Sequence, residues 1–273
     1  MRKTILFRLA WYFIKKELRT ALSYRFSFAS QGILIFFTLA IFYYLGQWLK
    51  EHPLKALAVY GTDYFTFVLL GLAFSNYLTL GLYSLAESIK REQTLGTLEV
   101  LQASPLTDRL LLIYLSLSTL LEETLSILFY FLIGIIFFKV EFHSANWTCM
   151  IVFVIVTFLV YWGLGMISAA LIIFFKKGNP IDFILNGIFV LLGGVYFPIE
   201  ILPNSLQTLA DYLPLTYALH ALRMSILQGT DLFSLTKELL ILSGFALIFL
   251  ISGILSVNLA FKKARVSGNL GYL

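Results

Sequence analysis

Apolar positions fall in long blocks along this chain, and polar ones gather in the gaps between them. Six blocks approach the ~20 residues needed to cross a bilayer: 28–48, 64–86, 110–138, 147–175, 181–197 and 239–261. The pattern predicts an all-α integral membrane fold of six transmembrane helices. The third and fourth blocks each run 29 residues, about 43 Å at a helical rise of about 1.5 Å. That exceeds a hydrocarbon core of about 30 Å, so these helices tilt or project beyond it. The fifth block is short and contains Gly193-Gly194.

The gaps differ in character. Residues 4–24 place Arg8, Lys15 and Arg19 on one helical face, with Leu9, Trp11, Tyr12 and Phe13 supplying apolar area. This predicts an amphipathic helix lying in the membrane interface. It serves either as a topology anchor or in recognition of a lipid or partner. Its scattered charges, without a small-residue cleavage site, do not read as a signal peptide. With six spans both termini share one side, and that side carries 15 basic residues against 5 on the other. Both termini are therefore expected in the cytoplasm. Tyr43, Tyr44, Trp48, Tyr64 and Trp147 sit at block ends, where aromatic side chains anchor to the interface.

Composition agrees with the blocks. The chain has 273 residues, 59% hydrophobic and 13% charged, against about 45–50% and 25% in soluble domains. The formal charge of +5 comes from basic flanks on the spans and does not point to nucleic acid. A lone cysteine, Cys149, excludes an intramolecular disulfide and a multi-cysteine metal site. No G-x-x-x-x-G-K-[ST], H-E-x-x-H or G-x-S-x-G pattern occurs.

Three places carry candidate chemistry. The stretch 91–105, REQTLGTLEVLQASP, has Leu95, Leu98 and Leu101 at helical spacing among charges, and it ends at Ser104-Pro105. A helix over 91–104 could lie flat on the membrane, pack under the bundle, or dock in a groove of a cytoplasmic partner. The connection 198–228 is punctuated by Pro198, Pro203 and Pro214. It predicts two short amphipathic helices: one N-capped by Asn204, and one over 215–228 with a Leu215, Leu219, Leu222, Ile226 stripe that stops at Gly229. These form either a re-entrant pair over the outer mouth or an ordinary interfacial loop. Inside the blocks, Glu122, Glu123 and Asn76 are embedded polar groups. The two glutamates fit a structural pairing with a cation, a substrate or proton role, or exposure near the inner surface. Asn76 and Tyr77 are candidate pore-side groups. Asn146-Trp147-Thr148 matches a glycosylation acceptor, a short pattern that arises by chance.

The string REQTLGTLEVLQASPL after the second block, with GGVYFPIEILPNSLQTLADYLPLTYALHALR after the fifth, resembles the permeases of type-2 ABC exporters. The order and placement of both strings match that family across essentially the whole chain. The resemblance implies a single transmembrane domain that is not itself an enzyme. It implies a dimer, here a homodimer, in the cell's inner membrane. A separate ATP-binding subunit in two copies would bind ATP and magnesium, so no cofactor is expected on this chain. It implies a coupling helix at 91–104, in which Arg91, Glu92, Gly96, Thr97, Leu98, Glu99 and Leu101 face or support the ATPase. It implies an outer re-entrant gate at 198–228 bearing Phe197, Pro198, Pro203 and Pro214. His220 stands where similar segments often carry an acidic or amide residue. Few polar groups in the spans suit an amphipathic or lipid-like cargo, with polysaccharide as the other class. The competing readings are an ion-coupled carrier, which calls for inverted repeats not seen here, and an intramembrane enzyme built on Glu122, Glu123 or His220.

Overall fold

A computed structural model describes residues 25–50, 55–94, 124, 126–142, 144–175 and 180–266. The described residues form helices and turns, with no strand among them. Helix α1 spans Arg25–Leu49, α2 Tyr64–Thr94, α3 Ser126–Phe138, α4 Trp147–Phe175 and α5 Pro180–Leu192. Two short helices follow, α6 at Asn204–Ala210 and α7 at Pro214–Leu227, and then α8 at Thr236–Val266. A 3₁₀ turn at Lys55–Tyr60 precedes α2, and another, Ile199–Ile201, precedes α6. Among the described residues, Ala29–Leu49, Trp147–Phe174 and Thr236–Lys263 are long and apolar enough to cross a membrane. Tyr64–Asn76 and Ser126–Phe138 are shorter apolar stretches.

Helix α4 is the central post and packs against α8, α2 and α7. Its apolar residues surround the helix, so no polar face fixes its orientation. Val160, Tyr161, Phe153 and Ala169 are fully buried, while Ile151, Ile155 and Phe174 face outward. In lipid, burial of apolar surface gives little drive for helices to associate, so close backbone approach must supply it. Gly163 and Gly253 meet that need at the α4–α8 seam. A Cβ on Gly163 would lie 2.5 Å from the Phe249 carbonyl carbon and 2.7 Å from the Leu250 nitrogen, and one on Gly253 would lie 2.6 Å from the Gly163 oxygen. Helix α8 turns Leu240, Leu247, Ile251, Leu255 and Leu259 outward and keeps Leu242, Ala246, Val257 and Phe261 inside.

Helix α1 sits at the periphery. Only 17% of its apolar window is buried, against 39% for α4, so most of its surface contacts lipid or another chain. It is held by rings: Phe36 packs on Phe137 and Phe138, and Tyr43 on Phe65 and Phe138. Gln31 also donates a hydrogen bond to Ser126 across to α3 at 3.3 Å.

Helix starts follow local capping rules. Asp63 accepts the Thr66 amide at the head of α2 at 3.3 Å, and Asn146 accepts the Cys149 amide at the head of α4 at 3.1 Å. The Asn146 side chain also donates to Asp231 at 3.1 Å, so this asparagine caps a helix and ties it to the turn before α8.

Two expectations need correction. The fifth apolar block predicts helix through 197, yet α5 ends at Leu192. Gly194 takes a left-handed φ of +78° just past that end, which terminates the helix. Asn204 was expected as an N-cap. Pro203 holds that position, and Asn204 opens the helix with no side-chain cap bond.

Candidate functional site

The beginnings of α2, α4 and α8 converge on α7. Phe67, one turn into α2, accepts from Arg223 of α7. The Asn146 amide, just before α4, donates to the Ser225 carbonyl at 2.8 Å. Glu238, in the first turn of α8, lies 4.0 Å from the His220 ring nitrogen Nε2. Helix α7 begins with Pro214 at its first helical position, where a missing N–H costs nothing. Leu215, Leu219, Leu222 and Ile226 are all buried, as their spacing predicts, and Gly229 ends the segment in a left-handed conformation with φ +64°.

Arg223 lies on that same stripe, four residues after Leu219, and is 2% exposed. Burying a guanidinium costs several kcal/mol unless its donors are met. Here they are met by main chain. Nε and Nη2 donate to the Phe67 carbonyl at 3.2 and 3.1 Å. Nη1 donates to Gly194 O at 2.8 Å, and Nη2 also reaches Val195 O at 3.2 Å. The Gly194 and Val195 carbonyls lie just past the end of α5 and have no helical partner of their own. Below the guanidinium lies the Phe67 ring, 3.4 Å from carbon to centroid, with the Tyr60 ring at 5.9 Å. Gly71 makes room, because a Cβ there would collide with the Val195 carbonyl and the Arg223 Nη2. Burial pulls the guanidinium pKa down to about 9, which leaves it charged at neutral pH.

Around this group lies a polar cavity of about 330 Å³, lined among others by Tyr60, Glu200, Asp211, His220, Lys237 and Glu238. Tyr60 Oη and His220 Nδ1 are 3.0 Å apart. Burial lowers the His220 pKa below its ordinary value, against the pull of Glu238 and Glu200. The Tyr60 phenol is pushed up, again chiefly by burial. A second cavity, about 770 Å³ and mostly apolar, is lined by Phe74, Leu128, Phe131, Ile135 and Met150.

The family model for the ABC-2 type transporter matches residues 5–227, most of the chain. The chain belongs to the ABC-2 type transporter family. No curated protein matches it. Family membership and the long apolar helices make it a multi-pass membrane permease of an ABC transporter, a class that associates with an ABC ATPase subunit.

Within this ABC-2 permease the expected site residues are distributed as follows. Arg91 and Glu92 fall in α2, which runs on unbroken to Thr94. Gly96, Thr97, Leu98, Glu99 and Leu101 lie outside the described residues, as do Glu122, Glu123 and the segment 4–24. Asn76 donates to Tyr130 at 2.7 Å and so joins α2 to α3. Pro198 and Pro214 are buried, Pro203 is exposed and Phe197 is half-buried. Pro198 and Pro203 stand as the residues preceding the second 3₁₀ turn and α6. Arg223 was not among the expected site residues. The sequence carried one signal for it, a cation at helical spacing within an apolar stripe.

Proposed function

We propose that the chain is the permease subunit of an ATP-driven exporter. Two copies form the pathway for an amphipathic, lipid-like or polysaccharide cargo, and two copies of a separate ATP-binding subunit, carrying ATP and magnesium, drive it. In this reading the chain has six spans with both termini in the cytoplasm of a cell's inner membrane. The 91–104 segment couples to the ATPase, and 198–228 forms a re-entrant lid on the outer side.

The observation that carries the reading is the family match over 5–227. Three features support its finer parts. Helix α2 delivers the chain directly to the 95–104 segment, so a movement there acts on a helix of 31 residues without a joint. The short α5, ended by Gly194, is followed by two helices too short to span a bilayer, as a re-entrant pair requires. The apolar cavity of about 770 Å³ suits an alkyl chain.

The test is co-expression with a candidate ABC ATPase subunit from the same genome, followed by reconstitution. Vanadate-sensitive ATP hydrolysis should be stimulated by one of a set of amphiphiles and glycans. In intact cells carrying a Cys149→Ser chain, cysteines at Lys55 or Asn204 should react with an impermeant thiol reagent, and those at Gln102 or Ser267 should not. Outside labelling of position 102 would remove both the orientation and the coupling role.

A further inference from the structure

The lid and the coupling segment stand at opposite ends of one helix. Phe67 lies one turn from the start of α2, and Thr94 is its last residue. The 27 helical steps from Phe67 to Thr94 span about 40 Å at a rise of about 1.5 Å each. A continuous helix of that length without proline transmits displacement as a rod, provided its far end is fastened to what must move. The fastening is where Arg223 sits.

Four parts of the chain meet at its guanidinium: α7, which carries it; the 194–195 turn after α5, through two carbonyls; α2, through the Phe67 carbonyl and ring; and the 3₁₀ turn before α2, through the Tyr60 ring. None of these contacts is a salt bridge. A carboxylate partner would make a charge pair that water or a proton could loosen. Main-chain carbonyls cannot titrate and cannot swing away as side chains do. Gly71 brings the surfaces into direct backbone contact, so the joint has no side-chain layer in which to slip. Helix α7 is also tied to the head of α4 by the main-chain bond from Asn146 to Ser225 at 2.8 Å, and to α8 by the softer 4.0 Å His220–Glu238 approach.

We infer that Arg223 is a positioning residue for transport: it fastens α7 and the turn after α5 to the head of α2, so that the lid moves with the helix leading into the 95–104 segment. This rests on the permease reading above. It adds that the lid is driven through α2, and it names the group that makes the joint.

The test uses the full chain with Cys149→Ser, co-purified with its ATPase subunit in lipid nanodiscs. A cysteine at Val195, which is fully buried beside the clamp, reports local opening through its rate of reaction with an impermeant maleimide. Arg223→Gln should raise that rate about tenfold, the response of a local opening equilibrium. Arg223→Lys keeps the charge but loses the fork, and should fall between the parent and Arg223→Gln. Gly71→Ala leaves the arginine in place, wedges the joint apart, and should behave like Arg223→Gln. It is the deciding variant if Arg223→Gln does not accumulate. ATP hydrolysis, read about 40 Å away, should change at least about threefold in either direction with ATPase stoichiometry unchanged, a typical coupling between distant sites. Labelling at the parent rate in both variants overturns the clamp. Faster labelling with unchanged hydrolysis reduces Arg223 to local structure and overturns the inference as well. If the parent chain binds no ATPase, the permease reading fails, and the labelling arm still reports whether the clamp exists.

Discussion

Two joints hold this molecule together by opposite means. The α4–α8 seam is apolar along most of its length, and at one end Lys263 Nζ lies 3.9 Å from the Phe174 ring centroid. Gly163 and Gly253 let two backbones touch, and dispersion over a long contact does the rest. At the α2–α7 joint one buried cation gathers three carbonyls and an aromatic ring. The seam tolerates no added atom but has no preferred direction of failure. The clamp is local and directional, since its geometry is met in one relative placement of α2, α5 and α7. A transporter needs both kinds: a fixed frame, and a joint that passes displacement to a chosen element.

The comparison is broken most severely at the seam. Gly163→Leu should abolish accumulation of folded protein, because its side chain meets the Phe249 and Leu250 backbone and neither can yield. Gly187→Leu is the control, since among the described residues nothing lies within 4 Å of a Cβ there. Fluorescence-detected size exclusion should show a folded Gly187→Leu chain.

Breaking the clamp comes next. Arg223→Met leaves the Gly194 and Val195 carbonyls without their donor, at about 1–3 kcal/mol for each buried group left unpaired. Thermal unfolding in detergent should show a clear drop in Tm with folded protein still recoverable. An unchanged Tm would mean that these carbonyls find water.

A smaller effect is expected at Asn76. Asn76→Ala removes the donor to Tyr130 between α2 and α3 and should cost about 1 kcal/mol. Tyr130→Phe should cost about as much, and the double variant no more than either alone, if the two act as a pair.

The smallest effect concerns pH. His220 has its pKa lowered in the folded chain, chiefly by burial. The folded form therefore binds fewer protons than the unfolded form between that lowered value and the ordinary 6.5. Stability from this group is complete above 6.5 and is lost as pH falls through the window. The Tm should fall between about pH 7 and about pH 5, and His220→Gln should flatten that dependence. Tyr60, Glu200, Arg223, Lys237 and Glu238 surround the ring and set how far the value moves.

How much of this was legible in the sequence depended on the kind of signal. Helix α4 was found at both ends, because a run of 29 apolar residues leaves no other solution. The stripe at Leu215, Leu219, Leu222 and Ile226 was legible for the same reason, since period alone places it inside. The end of α5 was not. Gly193-Gly194 was visible, but an apolar run through Phe197 outweighed it, and only the positive φ at Gly194 decides the matter. Arg223 was read by its charge alone and counted with the outer loop residues. Its burial depends on carbonyls from two distant stretches, which no local pattern displays. Asn146 looked like a modification motif and is a helix cap, a role that the start of the following apolar run could have indicated.

The central claim is that the chain works as a permease driven through its 91–104 segment. It is tested most directly by co-purifying the ATP-binding subunit with the parent chain and with Leu98→Asp. The account predicts a stable complex for the parent. For Leu98→Asp it predicts normal membrane insertion and loss of most of the ATPase, because the new carboxylate is buried unpaired in the contact at about 1–3 kcal/mol or more. Full co-purification and undiminished ATP hydrolysis with Leu98→Asp would contradict it.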